Sequence, residues 1–419
     1  MVIENRLIVC IASAWDYDPT SKHHVMRILS RRNRILWVNY HGTRRPGINA
    51  TDISTAWSKL RRVAQGVQPA SSTISQVTPL VIPGARSRLA SGLHRRLLIS
   101  QIRRAVRKLD PEGRLPVQVW SFAPDVPFLM GRFNEECFVY YCVDEFALFE
   151  GIDSYRVKVA ENELIDGADV VITTSEKLHE SRRSRRSDAV LIPHGVDFDH
   201  FATAWRSPPP RPHDLACIPK PMFGFFGLIQ HWVDLELLLK VARLRPRYSF
   251  VLIGDSMVDD SALRRAHNVY LLGRRSYVKL PAYCAAFEAG LLPFHVTAMT
   301  RNVNPIKLSE YLAAGLPVIS TPLPEAKRFD AVDLAANAEE FADACDRVLA
   351  TDFPQRRERV SRCVQGQTWE TRVEQASGVV MEMVNGRPLS KPRAAIEPAP
   401  TLRRTLVAPA AHEAAPECG

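Results

Sequence analysis

Short runs of apolar residues alternate with stretches of helical periodicity along most of the chain. A first series of candidate strands covers residues 6–12, 35–39, 117–120, 137–142, 169–173 and 189–192. A second series covers residues 222–226, 249–253, 269–271, 289–292 and 317–320. Strands that are apolar on both faces and separated by helices are typical of parallel sheets with both faces covered. The pattern therefore predicts an α/β protein with two doubly wound, Rossmann-like domains.

The helical stretches and a proline-rich segment complete this organisation. Helices are predicted over residues 24–32, 97–109, 155–167, 234–242, 280–286, 307–314, 338–350 and 369–384. Residues 207–212 read Ser-Pro-Pro-Pro-Arg-Pro, a stiff segment that cannot enter a sheet. We therefore predict an N-terminal domain over 1–205 and a C-terminal domain over 206–385. The Ala- and Pro-rich residues 386–419 predict a disordered tail.

Composition narrows the class of protein. The 419 residues are 46% hydrophobic and 24% charged, which is ordinary for a globular protein of two or three domains. No apolar run approaches the roughly 18–20 residues needed to cross a bilayer. The eight cysteines contain no C-x-x-C pair. This argues against a disulfide framework or a zinc site and favours a reducing cytoplasm.

Positive charge is concentrated in the first quarter of the chain. Residues 1–110 hold 19 Lys and Arg but 5 Asp and Glu, whereas the whole chain carries a net charge of +10. Such a field favours an anionic partner: nucleic acid, an anionic membrane surface or a phosphorylated substrate. Residues 93–109 have the basic, amphipathic character of a helix lying on a membrane surface, although a solvated basic face would explain them equally well.

Ligands of open parallel sheets bind beyond the carboxyl ends of the strands, so the loops after strands are the candidate sites. The first loop enters a helix near Thr20, where Lys22 and His23 reinforce the affinity of a helix N-terminus for anions. A capped helix with basic surface residues is the equal alternative. The short pattern Asp16-x-Asp18 also fits a metal–nucleotide site, but capping explains it better, and we predict no metal.

A carboxylate follows the strand at 137–142. Asp144 stands just past this buried strand end, where it suits a general base whose pKa is raised by burial. The alternative is an N-cap for the next segment. In the second domain, Gly227 and Gly254 each follow a strand and would let a ligand phosphate approach the backbone.

Lys307 and Glu310 lie three residues apart at the start of a predicted helix, so they share one face. A cation in the first turn opposes the helix dipole unless an anion is present, which indicates that Lys307 meets a phosphate. Glu310 could then accept hydrogen bonds from ribose hydroxyls. An intrahelical ion pair of small value is the alternative.

Four segments resemble the GT-B fold glycosyltransferases, most closely the family-4-like group and its relatives in bacterial surface polysaccharide assembly, within the broad glycosyltransferase family 1. They are Pro-His-Gly-Val-Asp at 193–197 with Phe201, Phe226 with Gly227, the run at 268–273, and the run at 305–319. The resemblance implies two domains facing across a cleft, with a return helix at 366–385 that crosses back to the N-terminal domain. The implied donor-binding residues are Gly227, Gly254, Arg274, Asn304, Lys307 and Glu310.

The family commonly has two glutamates separated by seven residues, and Glu310 fits the second while Asn302 occupies the first position. Its Arg and Lys after the first phosphate loop would fall near Leu228 and Trp232, which are not basic. The resemblance implies metal-independent transfer, without a cofactor, in which Asp144, Lys307 and Glu310 are catalytic. Both retaining and inverting chemistry remain open.

The resemblance implies a donor that is a nucleotide-diphosphate sugar and an acceptor that is a lipid-linked molecule or a saccharide. Asp18, Lys22 and His23 would form the acceptor or anion loop. The enzyme would be cytoplasmic, with the basic N-terminal domain held at the inner face of the membrane. Two alternatives stay open: an epimerase or hydrolase of nucleotide-sugars in the same fold, and a nucleic-acid-binding protein without a recognised motif.

Overall fold

The computed structural model describes residues 2–40, 62–81, 88–350 and 353–386. Except for residue 386, the predicted disordered tail lies outside these residues. The first sheet has eight strands in the order β3-β4-β2-β1-β5-β6-β7-β8 within the described chain. The strands are β1 Leu7–Ala12, β2 Arg34–Asn39, β3 Gln68–Pro69, β4 Ile74–Val77, β5 Val117–Ser121, β6 Cys137–Cys142, β7 Val170–Thr173 and β8 Val190–Leu191.

The second sheet has six strands in the order β11-β10-β9-β12-β13-β14, again counted over the described residues. Its strands are β9 Met222–Phe226, β10 Ser249–Ile253, β11 Val269–Leu271, β12 Ala289–Leu292, β13 Val318–Ser320 and β14 Val332–Leu334. All its neighbouring strands pair in parallel, as do those of the first sheet except the antiparallel pair β3–β4. Each sheet therefore collects the carboxyl ends of its central strands at one edge.

Helices cover both sheets. In chain order they are α1 Ser21–Leu29, α2 Arg88–Leu109, α3 Ser154–Gly167, α4 Glu176–Arg183, α5 Phe198–Arg206, α6 Leu235–Leu244, α7 Ser261–Arg264, α8 Leu280–Ala286, α9 Ile306–Ala313, α10 Ala338–Leu349, α11 Phe353–Arg362 and α12 Trp369–Asn385. One face of the first sheet packs against α1 and α12, and the other packs against α2, α3 and α4. The predicted class, two doubly wound Rossmann-like domains, is confirmed.

The domain change occurs earlier in the chain than the proline-rich segment suggests. Helix α5 begins before the predicted boundary at 205/206, yet Phe201, Ala202 and Ala204 are fully buried in the core of the second sheet. Phe201 packs against Phe226 with ring centroids 6.0 Å apart. The chain thus enters the second core just after β8, because the apolar face of α5 packs against β9 rather than against the first sheet.

The two domains are joined by two chain segments that cross. Val196 donates its backbone N–H to the carbonyl of Gln367, and Trp369 donates back to Val196, at 2.9 and 3.3 Å. From there α12 returns to the first sheet, where Trp369, Val373 and Val380 are buried. The predicted return helix at 366–385 therefore does pack on the N-terminal domain. No helix in the described part of the chain is both long and apolar enough to span a membrane.

Candidate active site

Two glycines predicted to bind the donor lie at the ends of neighbouring strands. Gly227 follows β9 with φ +129°, and Gly254 follows β10 with φ +150°. A Cβ at Gly254 would lie 2.0 Å from the carbonyl oxygen of Gly227. Both positions thus require glycine, for the backbone angle and for the close approach of the two loops.

Lys307 reaches this loop from the first turn of α9. A Cβ at Gly227 would lie 1.9 Å from Cε and 2.5 Å from Nζ of Lys307. Burial lowers the pKa of Lys307, while the charge of Glu310 opposes the shift. The cation therefore stands over the glycine loop. It supplies from α9 a positive charge that the sequence lacks at Leu228 and Trp232.

Glu310 lies one turn along the same helix and is 6% exposed. Burial raises its pKa to about 7, and the charge of Lys307 lowers it. The hydroxyl of Tyr277 is buried beside this carboxyl, and both burial and Glu310 raise the pKa of Tyr277. Lys307 and Glu310 do not come within 4.0 Å as an ion pair, although both are described, so the simple intrahelical pair is not what orients them.

Arg274 bonds across the cleft to Asp18. Its Nε and Nη2 donate to the two carboxylate oxygens at 3.1 and 2.7 Å. Both side chains are more than half exposed. The structure thus pairs a residue predicted to bind the donor with one predicted in the acceptor loop, and each neutralises the other.

Asn304 also reaches across the cleft. Its Nδ2 donates to the carbonyl of Thr174 at 2.9 Å, at the end of β7. The adjacent Ser175 hydroxyl donates to the carbonyl of Asn302 at 2.6 Å. The loop before α9 is therefore bonded to the N-terminal domain in this conformation.

In the N-terminal domain, Asp144 and Lys22 influence each other's charge. Burial raises the pKa of Asp144 to about 7, and the charge of Lys22 lowers it. Burial lowers the pKa of Lys22, while Asp144 and Cys10 raise it. The two were predicted separately, one as a base and one as an anion ligand. A carboxyl that titrates near neutrality beside a fixed cation can accept a proton from a hydroxyl.

His23 does not have the surface position that the sequence suggested. Its side chain is fully buried and stacked on Trp37 at 4.8 Å. Nδ1 lies 3.2 Å from the backbone N–H of Thr20, and Nε2 lies 3.2 Å from the carbonyl of Trp15. Burial, with the charge of Lys22, lowers the pKa of His23 to about 3. Both ring nitrogens are engaged, so this geometry does not support His23 as an anion ligand; it closes the loop as a capping residue.

An aromatic cluster that the sequence does not predict lies where the domains cross. The His24 ring stacks on Trp369 at 4.9 Å and 2°, and His194 contacts the same indole at 5.8 Å. His24 also meets Tyr277 of the C-terminal domain at 5.7 Å. No periodicity in the sequence predicts this cluster, because its members come from four separate segments. It links the helix after the acceptor loop to the residue beside Glu310.

In the described part of the chain, no three His, Cys, Asp or Glu side chains cluster closely enough to hold a metal ion. Asp16 pairs with Arg62 and Asp18 with Arg274, so the two carboxylates of the D-x-D pattern have separate partners. Metal-independent chemistry stays a prediction.

Part of the second domain is similar to a known family. Residues 220–351, which include Gly227, Gly254 and Lys307, match the family described as Glycosyl transferases group 1. The putative teichuronic acid biosynthesis glycosyltransferase TuaH of Bacillus subtilis is 24% identical over 255 residues, which cover 55% of this chain and 63% of the relative. The match thus spans less than two thirds of that relative.

Solved structures share the architecture. A UDP-forming α,α-trehalose-phosphate synthase from Burkholderia vietnamiensis superposes with a TM-score of 0.64 at 13% identity, covering 92% of this chain and 98% of that one. HepE of Anabaena, solved with UDP and glucose, superposes with a TM-score of 0.63 at 13% identity, covering 90% and 100%. At such identity these likenesses establish the fold. The chain thus shares its fold with these two structures, and its residues 220–351 are similar to the group 1 glycosyl transferases.

Proposed function

We propose that the protein transfers a sugar from a nucleoside-diphosphate sugar to a hydroxyl acceptor. The observation that carries this is Lys307, held over the glycine loop at the carboxyl edge of the second sheet. A fixed cation above a close-approach backbone loop suits a diphosphate, and it stabilises the leaving nucleotide as negative charge develops. Glu310, one turn further along α9, accepts hydrogen bonds from the ribose hydroxyls. Arg274 turns to the diphosphate when Asp18 releases it.

The nucleoside is proposed to be uridine. Support comes from two structural neighbours. The trehalose-phosphate synthase is UDP-forming, and HepE was solved with UDP. Thermal shift with UDP-, GDP- and ADP-sugars tests this, and we expect the largest stabilisation from a UDP-sugar. Binding of a guanosine or adenosine donor alone would contradict uridine while leaving transfer intact.

Lys307→Ala tests the donor site itself. We expect stabilisation by the donor to disappear, because the cation that lies over the glycine loop is gone. Lys240→Ala is the matched control, since Lys240 is an exposed cation of the same domain paired with Glu236. Unchanged donor binding by Lys307→Ala would remove the proposed site.

Asp144 is proposed as the base. Its carboxylate takes the proton of the acceptor hydroxyl as the oxygen attacks the anomeric carbon and the nucleoside diphosphate leaves. This assignment requires inversion, which NMR of the product's anomeric configuration tests. A product with retained configuration would assign Asp144 another role. Nothing in this step requires a bound metal.

The acceptor is proposed to be a lipid-linked or growing saccharide of the cell envelope. The teichuronic acid relative supports a polysaccharide product. Lys22, beside Asp144, would contact an anionic group of such an acceptor. Nucleotide release coupled to a glycosylated saccharide product tests this. Nucleotide release with free sugar and no acceptor product would instead indicate the hydrolase alternative, which these relatives do not favour.

We also propose that α2 lies on an anionic membrane surface at the cytoplasmic face. The helix has no acidic residue, and Arg96, Arg103 and Arg107 are exposed along one side. With Arg132 they line a shallow groove of about 410 Å³. None of these guanidinium groups forms an ion pair with a described carboxylate.

Co-sedimentation with vesicles tests the membrane proposal. We expect binding to anionic vesicles, little to neutral ones, and loss of binding with added salt, because each Lys or Arg near the surface adds about 1 kcal/mol. Arg103→Glu with Arg107→Glu should abolish it. Steeply salt-dependent binding to RNA or DNA with none to vesicles would favour the nucleic-acid alternative.

A further inference from the structure

Thr174 contacts both the loop that carries Asp144 and the loop before Lys307. Its side chain is fully buried at the end of β7. The hydroxyl lies 3.2 Å from the carbonyl oxygen of Val143 and 3.4 Å from that of Cys142, so its proton is directed at the loop that carries Asp144. Its own carbonyl accepts from Asn304, in the loop before Lys307. One residue therefore connects the acceptor-side carboxyl to the donor side.

The chain around Thr174 makes this connection stiff. The Ser175 hydroxyl donates to the carbonyl of Asn302 and also caps α4 by accepting from Leu178. The backbone N–H of Glu176 donates to the buried carboxylate of Glu325 at 3.1 Å. Three consecutive residues at the start of α4 thus contact the C-terminal domain. A displacement of the loop at 302–304 is transmitted directly to them.

The other end of α4 holds the far side of the Asp144 loop. Arg182 is 5% exposed, and its guanidinium donates to Glu145 and to Glu161, the latter at 2.7 Å. Tyr140 donates to the same Glu161 carboxylate at 2.7 Å. Asp144 therefore lies between two fixed points: Val143, held by Thr174, and Glu145, held by Arg182.

We propose that Thr174 is a positioning residue, which sets Asp144 against the donor when the domains are in contact. The inference rests on the proposed role of Asp144 as a base. A base must stand within hydrogen-bond reach of the proton it takes, and a displacement of about 1 Å can cost about 100-fold in rate. A buried hydroxyl bonded to the carbonyl just before that base controls such a displacement.

The test is Thr174→Val, which keeps the side-chain shape and the carbonyl bonded to Asn304. We expect kcat to fall about tenfold with the donor Kd unchanged. We also expect the midpoint of the kcat–pH profile to move to lower pH, because a relaxed loop exposes the Asp144 carboxyl to water. Thr174→Ser, which restores the hydroxyl, should recover both values.

Thr173→Val is the matched control. It removes another fully buried hydroxyl one residue earlier, which is directed at Val190 rather than at the Asp144 loop. Loss of stability alone would lower the melting temperature of both variants without moving the pH midpoint. Wild-type kcat and pH midpoint in Thr174→Val would overturn the inference, as would equal losses in the Ser and Val variants.

Failure of the proposed function looks different. If Asp144→Asn transfers sugar at the wild-type rate, Asp144 is not the base, and the positioning inference falls with it. If the wild-type protein binds no nucleotide-sugar, the donor site itself is refuted. Both are measured on protein whose folding is checked by the same melting curves, so the three failures are distinguishable.

Discussion

The ammonium of Lys307 lies over the α-carbon of Gly227, so that a Cβ added there would stand 2.5 Å from Nζ. A helix cation and a loop glycine thus occupy adjacent space at the end of β9. The glycine leaves room for the cation, and the cation supplies charge to the glycine's loop. Both residues are therefore needed to place a positive charge at this loop.

We predict that Gly227→Ala weakens donor binding. The new methyl group would overlap Cε of Lys307 at 1.9 Å and displace the charge from the loop. We expect at least a tenfold rise in donor Kd, or about 1.4 kcal/mol, measured by isothermal titration calorimetry. Gly113→Ala is the control, because Gly113 also has positive φ but a Cβ added there would meet nothing within 4 Å. Wild-type affinity in Gly227→Ala would refute the proposal that Lys307 binds the donor over this loop.

The sequence predicts features that local chemistry determines. The bounds of β6, β9 and β10 match the predicted strands, because apolar runs bounded by turns define a buried strand. Strands β3, β4 and β14 were missed, since they are two to four residues long and partly polar. Helix α5 was missed because its amphipathic face lies next to the proline-rich segment and packs into the other domain.

The contacts between residues of the site that lie far apart in the sequence were not predicted. Asp18 and Arg274 are 256 residues apart, and nothing local in either indicates the other. Thr174 carries no motif, since its role comes from the carbonyls that packing brings to it. His23 was misplaced because a basic residue near a helix start looks the same in sequence whether it is exposed or buried.

We predict that Asp18→Asn tightens donor binding. Asp18 holds the guanidinium of Arg274 in a two-point pair, and a diphosphate must compete for that group. The pair is exposed, so its release is worth at most about 1 kcal/mol, or about fivefold in Kd. Asp16→Asn is the control, because Asp16 pairs with Arg62 instead. Weaker binding in Asp18→Asn would show that the carboxylate assists the donor.

We predict that the rate at saturating donor rises with pH through about 7. Burial raises the pKa of Asp144 to that value, and the base works only when it is ionised. Below pH 7 the rate should fall about tenfold per unit. Asp144→Asn should lower the rate at pH 8 at least about 100-fold and remove this pH dependence. A flat wild-type profile between pH 5 and 8 would contradict the assignment.

The donor Kd should also depend on pH, through a group other than Asp144. The pKa of Glu310 is also raised to about 7, mainly by burial. Since its ionised form accepts ribose hydroxyls, the donor Kd should fall as pH rises through 7. Glu310→Gln should remove this pH dependence, while Asp144→Asn should keep it. If both variants keep it, another group titrates.

We predict that the buried histidines destabilise the protein in acid. Burial lowers the pKa of His23 to about 3, of His24 to about 4 and of His194 to about 3. Below pH 6.5 the unfolded chain binds protons that the native chain does not. The free energy of unfolding therefore falls as pH drops from about 6.5 to about 4, by up to about 1.4 kcal/mol per unit for each histidine.

The variant His24→Phe isolates the contribution of one of these histidines. It keeps the ring on Trp369 and removes one titrating group, so the slope of unfolding free energy against pH should change by about one proton. Asp144 and Glu310 act in the opposite direction here, because their raised pKa values favour protonation of the native state. His213→Gln, a substitution of an exposed histidine, is the matched control. Urea unfolding at several pH values measures the slope.

We predict that Gly195→Ala disrupts the crossing of the two domain-linking segments. A Cβ at Gly195 would lie 2.6 Å from both Cα and N of Trp369, and a backbone cannot move aside as a flexible side chain can. The bonds of Val196 to Gln367 and Trp369 fix this spacing. We expect a loss of about 3 kcal/mol in unfolding free energy.

The control for this prediction lies on the facing segment. Gly366→Ala adds the same methyl group where nothing lies within 4 Å, so its stability should stay near that of the wild type. Guanidinium unfolding followed by tryptophan fluorescence compares the two variants, since Trp369 lies at the crossing. Equal stabilities would mean that the segments can separate without cost. A loss of stability in Gly195→Ala alone would mean that the crossing of the two segments requires this glycine. A tight turn would not be the reason, because the added Cβ overlaps the return segment and not its own loop.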